Sequence, residues 1–132
     1  MNESILVYPA ILTPDSDGYT IEFPDLSCCV TEGDTLAEAL NMGKDAMEGW
    51  LYSAQKHNEP LPKPSDIETI ALDEGQFTSL VVADLEAYRR RMDSRAVKKT
   101  LTIPSWLNEK ADAARVNYSQ ILQDGLRRHL GL

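Results

Sequence analysis

The stretch Arg95-Ala-Val-Lys-Lys-Thr-Leu-Thr-Ile-Pro104 decides how the rest of this chain is read. Between Val97 and Ile103 the side chains alternate, with Val97, Leu101 and Ile103 on one parity and Lys98, Thr100 and Thr102 on the other. A period of two predicts a strand with one buried and one solvated face. The solvated face carries a cation and two hydroxyls, groups that bond to phosphates and to base edges in a major groove. Lys99 has the apolar parity yet is charged, so its stem is expected to cover apolar surface while its ammonium reaches a backbone phosphate, with Arg95 doing likewise.

Two short amphipathic segments follow. Pro104 pre-sets a helix start and Ser105 helps to satisfy the first amides. Leu107, Ala111 and Ala114 mark a buried face with Trp106 at its edge. Asn117 stands where a left-handed residue would end that helix. Ser119 is expected to cap the next helix, whose stripe is Ile121, Leu122, Leu126 and Leu130. A strand and two helices in so short a tail resemble the ribbon-helix-helix family of dimeric DNA-binding proteins. A lone strand leaves an open edge, and modules below about 40 residues usually need oligomerisation to fold. A dimer is therefore expected through Val97, Leu101, Ile103, Ile121, Leu122 and Leu126. The DNA-facing set would be Arg95, Lys98, Lys99, Thr100 and Thr102, with the amides near Ser119 and Gln120 holding a phosphate.

Charge divides the chain at the same place. Residues 1–88 hold three lysines and no arginine against seventeen acids, a net of −14, whereas residues 89–132 hold ten basic residues against four acids, a net of +6. A basic segment favours nucleic acid and an acidic one repels it, so the two parts are expected to have different partners. No apolar run approaches a membrane span. Met1-Asn-Glu-Ser4 has no basic n-region, so a signal peptide is not expected and the cytoplasm is the expected compartment. Cys28 and Cys29 are adjacent, which suits neither a disulfide framework nor a zinc site, and they read as small buried hydrophobes.

In the acidic part, Ser4–Leu12 reads as a strand, with Pro9 pointing to an edge or bulge position. Pro14–Gly18 is a turn, and Tyr19, Ile21 and Phe23 alternate with Thr20 and Glu22 in a second strand. Cys28–Thr31 is a short third strand. Thr35 with Glu38 forms a capping-box signature, and Leu36, Leu40, Gly43, Met47, Trp50 and Ala54 make one apolar helical stripe, with Glu38, Lys44, Asp45, Glu48 and Lys56 on the polar side. Met42 reads as core filler. Asn58–Ser65 alternates three prolines and is an extended connector. Ile67–Leu72 and Phe77–Ala83 are β-rich runs, and Asp84–Met92 is a short polar helix or linker.

The stretches Tyr8-Pro-Ala-Ile11, Gly18-Tyr-Thr-Ile-Glu-Phe-Pro-Asp-Leu26 and Cys29-Val-Thr-Glu-Gly-Asp-Thr-Leu-Ala-Glu-Ala-Leu40 resemble the HicB antitoxin family. So do Glu59-Pro-Leu-Pro-Lys-Pro64 and Val81-Val-Ala-Asp-Leu-Glu-Ala-Tyr88. Members often carry Pro-Gly before the cysteine, where this chain has Ser27-Cys28. The resemblance implies an α+β fold: a partly degraded ribonuclease-H-like sheet with a packed helix over 1–88, a linker at 89–94, and a ribbon-helix-helix at 95–132. It implies a non-enzymatic antitoxin that binds a small basic RNA-cleaving HicA toxin, needs no cofactor or metal, and represses its own operon as a homodimer or tetramer on operator DNA. The alternative is a solitary ribbon-helix-helix regulator without a toxin. The toxin-facing residues are expected on the hairpin and third strand: Tyr8, Asp15, Asp17, Tyr19, Glu22, Asp25 and Glu32. A two-metal nuclease built on Asp15, Asp17, Glu22 and Asp25 is disfavoured, because Asp15 and Asp17 sit in a turn whose chemistry already calls for Asp and Gly.

Overall fold

The computed structural model describes residues 4–132, so the expectation about a leader at Met1–Glu3 lies outside the described residues. The chain divides into two compact units at Arg95 and Ala96. In the first unit the elements run β1 (Ile5–Pro14), β2 (Tyr19–Glu22), β3 (Val30–Gly33), α1 (Leu36–Lys56), β4 (Phe77–Asp84) and α2 (Leu85–Met92). The second unit holds α3 (Ser105–Ala113) and α4 (Tyr118–Leu130). Taken together, the described residues have the α+β character expected from the sequence.

The sheet of the first unit is antiparallel, in the order β3-β2-β1-β4. β1 is thus an inner strand. Pro9 is nonetheless paired on one side only, opposite Leu80 of β4, because the β1–β2 ladder begins at Ile11. The edge character expected of a proline is met locally, inside a central strand. The third strand starts later than expected, at Val30, because Cys28 takes a left-handed backbone with φ 62°. A left-handed backbone favours glycine, and here a residue with a Cβ adopts it. Ile67–Leu72 does not join the sheet: Ile67–Thr69 is a single 3-10 turn capped by Asp66, whose carboxylate accepts from the Glu68 amide at 3.1 Å.

α1 covers one face of the sheet, and the core lies between them: Tyr8, Ala10, Leu12, Ile21, Met47, Leu51, Val81 and Ala83. The capping box forms as expected at one end, with the Glu38 amide donating to Thr35 Oγ1 at 3.1 Å. The return bond from Glu38 goes to the amide of Asp34 instead of Thr35. The buried stripe of α1 is rotated from the expected one. Ala39, Gly43, Met47, Glu48, Leu51 and Ala54 are buried, while Leu36 and Met42 are exposed. Small residues on the packing face let the helix approach closely. At Gly33 a Cβ would lie 2.4 Å from the Ala39 amide nitrogen, and at Gly43 it would meet the Ile21 side chain.

Glu48 is the surprise of this stripe, a charged side chain buried in the packing face. Its carboxylate accepts from Lys44 Nζ at 2.8 Å, from the Asp84 amide at 2.7 Å and from Arg91 at 3.4 Å. One side chain therefore ties α1 to the end of β4 and to α2. Residues 89–92, the end of a run expected as a short polar helix or linker, are the last turn of α2, and Arg91 belongs to this tie. Tyr88 packs on Tyr52 of α1, and Arg91 lies 5.4 Å from the Tyr88 ring centroid.

Two outcomes are expected from urea denaturation followed by circular dichroism. Gly33→Ala forces a Cβ into backbone that cannot rotate away and lowers stability by about 2–3 kcal/mol. Glu48→Ala strands the Asp84 amide and costs about 2–3 kcal/mol, the lower part of the range for breaking a buried pair, because Lys44 and Arg91 are themselves half-exposed. Glu48→Gln keeps an acceptor for that amide and costs less.

Candidate functional site

The seven residues expected to face a protein partner do not form one surface. Tyr8 shares parity with Ala10 and Leu12 and points into the core, where its hydroxyl donates to the Pro62 carbonyl at 2.5 Å. Burial first, and the Asp25 carboxylate second, push its phenol above the ordinary range. The expectation that Tyr8 is a contact residue is therefore corrected: it is a clamp on the proline-rich connector. Its alternation with two inward residues was the signal available in the sequence. Asp25 serves the same clamp, accepting from the amide of Ser65 at 2.9 Å and from the Ser65 hydroxyl. Trp50 closes the neighbouring loop by donating to the Ser27 carbonyl at 2.9 Å.

Tyr19 is half-buried against the core and meets Phe77 edge-on, with centroids 6.4 Å apart. Asp15 and Asp17 are exposed at the hairpin tip, where Asp15 accepts from the Asp17 amide at 2.8 Å in an Asx turn. Glu22 and Glu32 are brought together on the face turned away from α1. Thr20 stands opposite Glu32 and Glu22 opposite Val30 in the β2–β3 ladder, and cross-strand neighbours share a face. Among the described residues no three His, Cys, Asp or Glu side chains gather as a metal-ligand set. A cleft of about 630 Å³ between α1 and α2 is lined by Lys44, Glu48, Arg90 and Arg91 among others, and its charges largely answer one another.

The second unit has a different character. None of its side chains is buried: Val97 is 70% and Leu101 63% exposed, and Trp106, Ile121, Leu126 and Leu130 are likewise in solvent. Residues 93–104 form neither helix nor strand, so the strand expected over Val97–Ile103 is not made within the chain, whose second unit offers it no strand to pair with. The Lys98, Thr100 and Thr102 side chains are exposed, as is Lys99, and Arg95 lies 3.4 Å from the Asp93 carboxylate.

The caps of the two helices differ from those expected. The left-handed residue after α3 is Arg115, with φ 54°, and not Asn117. The Val116 amide reaches back to the Ala111 carbonyl at 3.3 Å to close that end. Asn117 caps α4, taking the Gln120 amide at 3.0 Å. Ser119 lies inside the first turn, where its hydroxyl accepts from Gln123. The Gln120 amide is thus already satisfied by Asn117, which corrects its expected part in a phosphate clamp. Asn, like Ser, is a strong capping residue, and the nearer of two candidates prevailed. Sequence inspection missed Tyr118, whose hydroxyl donates to the Asp112 carboxylate and joins the two helices. That hydrogen bond is the main reason its phenol is raised above its ordinary value.

No helix among the described residues is long and apolar enough to cross a membrane. Comparison with known proteins agrees with the architecture. Over 107 residues the chain is 27% identical to an uncharacterized 14.9 kDa protein of Haemophilus phage HP1, covering 81% of this chain and 80% of that one. It is 36% identical over 63 residues to the antitoxin HicB of Escherichia coli K12, covering 47% of this chain and 46% of that protein. Among solved structures, a chain of a toxin–antitoxin complex from Streptococcus pneumoniae superposes with a TM-score of 0.63 at 27% identity, over 95% of this chain and 99% of the other. The antitoxin HicB3 superposes with a TM-score of 0.52 at 25% identity, over 94% of this chain and 97% of the other. The family model for the HicB-like antitoxin of bacterial toxin–antitoxin systems matches residues 8–124. This chain, with its acidic sheet unit and its basic helical tail, belongs to the HicB-like antitoxin family.

Proposed function

We propose that this chain is a non-enzymatic cytoplasmic antitoxin that neutralises an RNA-cleaving HicA-type toxin by direct binding and represses its own operon through its tail. In this reading residues 1–88 are a partly degraded ribonuclease-H-like domain that holds the toxin. Residues 95–132 are a ribbon-helix-helix that dimerises on operator DNA. Membership in an antitoxin family supports the first role, and the similar chain from a toxin–antitoxin complex supports the partner.

The observation that carries the second role is the bare tail. Two helices of 9 and 13 residues are too short to be stable alone, and this unit buries none of its side chains. A two-fold mate supplies what is missing. Val97, Leu101 and Ile103 pair across the axis as an antiparallel ribbon, Ile121, Leu122 and Leu126 close a shared core, and the unpaired edges satisfy each other. Lys98, Thr100 and Thr102 then project together from the ribbon into a major groove, with Arg95 and Lys99 on flanking phosphates. The net charge of +6 over residues 89–132 suits that surface, and −14 over residues 1–88 suits a basic toxin.

Leu101→Asp is expected to abolish the tail dimer and DNA binding together, read by light scattering and by gel shift on DNA upstream of the chain's own reading frame. Lys98→Ala with Thr100→Ala is expected to keep the dimer and to lose about 1–3 kcal/mol of discrimination per base contact. A Leu101→Asp chain that still dimerised through its tail and shifted that DNA would overturn the ribbon. Relief of growth arrest on co-expression with a HicA-type toxin from the same genome tests the antitoxin role.

A further inference from the structure

The sheet face turned away from α1 is unlike the outer face of most antiparallel sheets, which alternate polar residues toward water. The β1–β4 register places Val7 opposite Val82, Pro9 opposite Leu80 and Ile5 opposite Asp84. Ile5, Val7, Leu80 and Val82 are 40–56% exposed on this face, with Pro9 and Ile11 buried along the middle of the same row. The face continues onto β2 and β3, where Glu22 stands opposite Ile11 and Glu32 opposite Thr20. An exposed apolar patch is therefore bordered on one side by two carboxylates, in a part of the chain with a net charge of −14.

We infer that this outer face, and not the hairpin tip, is where a basic protein partner docks. The apolar patch supplies the desolvated centre of the contact, and Glu22 and Glu32 meet cations at its rim. A second copy of this chain fits the face poorly. Two such faces brought together would set one strongly acidic unit against another, with glutamates on both sides of the joint and no lysine or arginine on either strand set to answer them. Large exposed apolar patches with a polar border mark interaction surfaces, and the charge of this border selects the sign of the partner. The assignment rests on the antitoxin role proposed above and specifies its face. The surface lies on the odd-numbered side of β1, and so leaves out Tyr8, which is held in an internal contact on the other side.

The test uses the full chain and a catalytically silenced HicA-type protein from the same genome, with affinity measured by calorimetry at low and high salt. Leu80→Lys with Val82→Lys is expected to weaken binding by about 100-fold or more, as for the centre of an interface. Glu22→Lys with Glu32→Lys is expected to weaken it by about 10-fold and to reduce its salt dependence. Asp15→Lys with Asp17→Lys, at the hairpin tip, should leave it within about 3-fold. If the lysine pair fails to fold by circular dichroism, Leu80→Thr with Val82→Thr replaces it, with about a 10-fold loss expected. Wild-type chain that neither binds nor rescues growth overturns the antitoxin role and this face with it. Wild-type binding that persists unchanged in the Leu80 and Val82 variants overturns the face alone. Variants that lower the oligomeric mass of the free chain but leave affinity unchanged assign the face to a second copy and overturn the inference.

Discussion

The first unit depends on how one buried carboxylate is satisfied. Glu48 sits in the packing face of α1, where an unpaired charge would cost several kcal/mol. Three donors from three places answer it: Lys44 one turn earlier, the amide of Asp84 at the end of β4, and Arg91 in α2. Asp84 contributes twice, since its side chain also caps α2 by accepting from the Ala87 amide at 3.1 Å. The return of the chain after its long connector is held at this point. Once β4 is anchored beside β1, the sheet has its final order, and its outer face has its final composition.

The connector is tied down by equally local means. Pro60, Pro62 and Pro64 cannot donate to a ladder, so the segment uses carbonyls and a serine. Tyr8 gives its hydroxyl to Pro62, and Asp25 takes both polar hydrogens of Ser65. Two side chains that resemble surface recognition groups in the sequence are thereby spent inside the unit. The acidic groups that remain free for a partner are fewer than the charge count implies, and they lie where strand alternation puts them.

The two units differ in what they can do alone. The first buries a contiguous core of aromatic and aliphatic side chains. In the second, α4 is capped by Asn117 before it and by a left-handed Gly131 after it, whereas α3 starts at Pro104 with no side-chain cap, Ser105 included, and no apolar side chain of the unit is fully buried. Capping contributes on the order of 1 kcal/mol per helix end, which does not offset the ordering of some thirty residues without a core. Its local structure is specified without a core of its own, which is the observation behind the proposed dimer.

Much of this was legible in the residues themselves. The period-two alternation of Tyr19–Phe23, the Thr35–Glu38 capping signature, the proline connector and the opposite charges of the two parts are local or compositional, and local patterns survive into any fold that contains them. The sequence alone determined the β1–β2 hairpin, the long helix α1, the proline connector and the family resemblance, whereas Ile67–Leu72, a β-rich run in the sequence, makes only a 3-10 turn. The tertiary structure decided the rest. Lys44–Glu48 looks like an exposed i,i+4 pair on a helix until β4 and α2 arrive to bury its carboxylate. Tyr8 has the parity of a core residue in the sequence, but only the folded connector brings the Pro62 carbonyl to its hydroxyl. Ile5, Val7, Leu80 and Val82 lie more than seventy residues apart in two groups, and only the β1–β4 register gathers them into one patch beside Glu22 and Glu32. Burial and surface chemistry depend on which distant strand becomes a neighbour, and no local period encodes that choice.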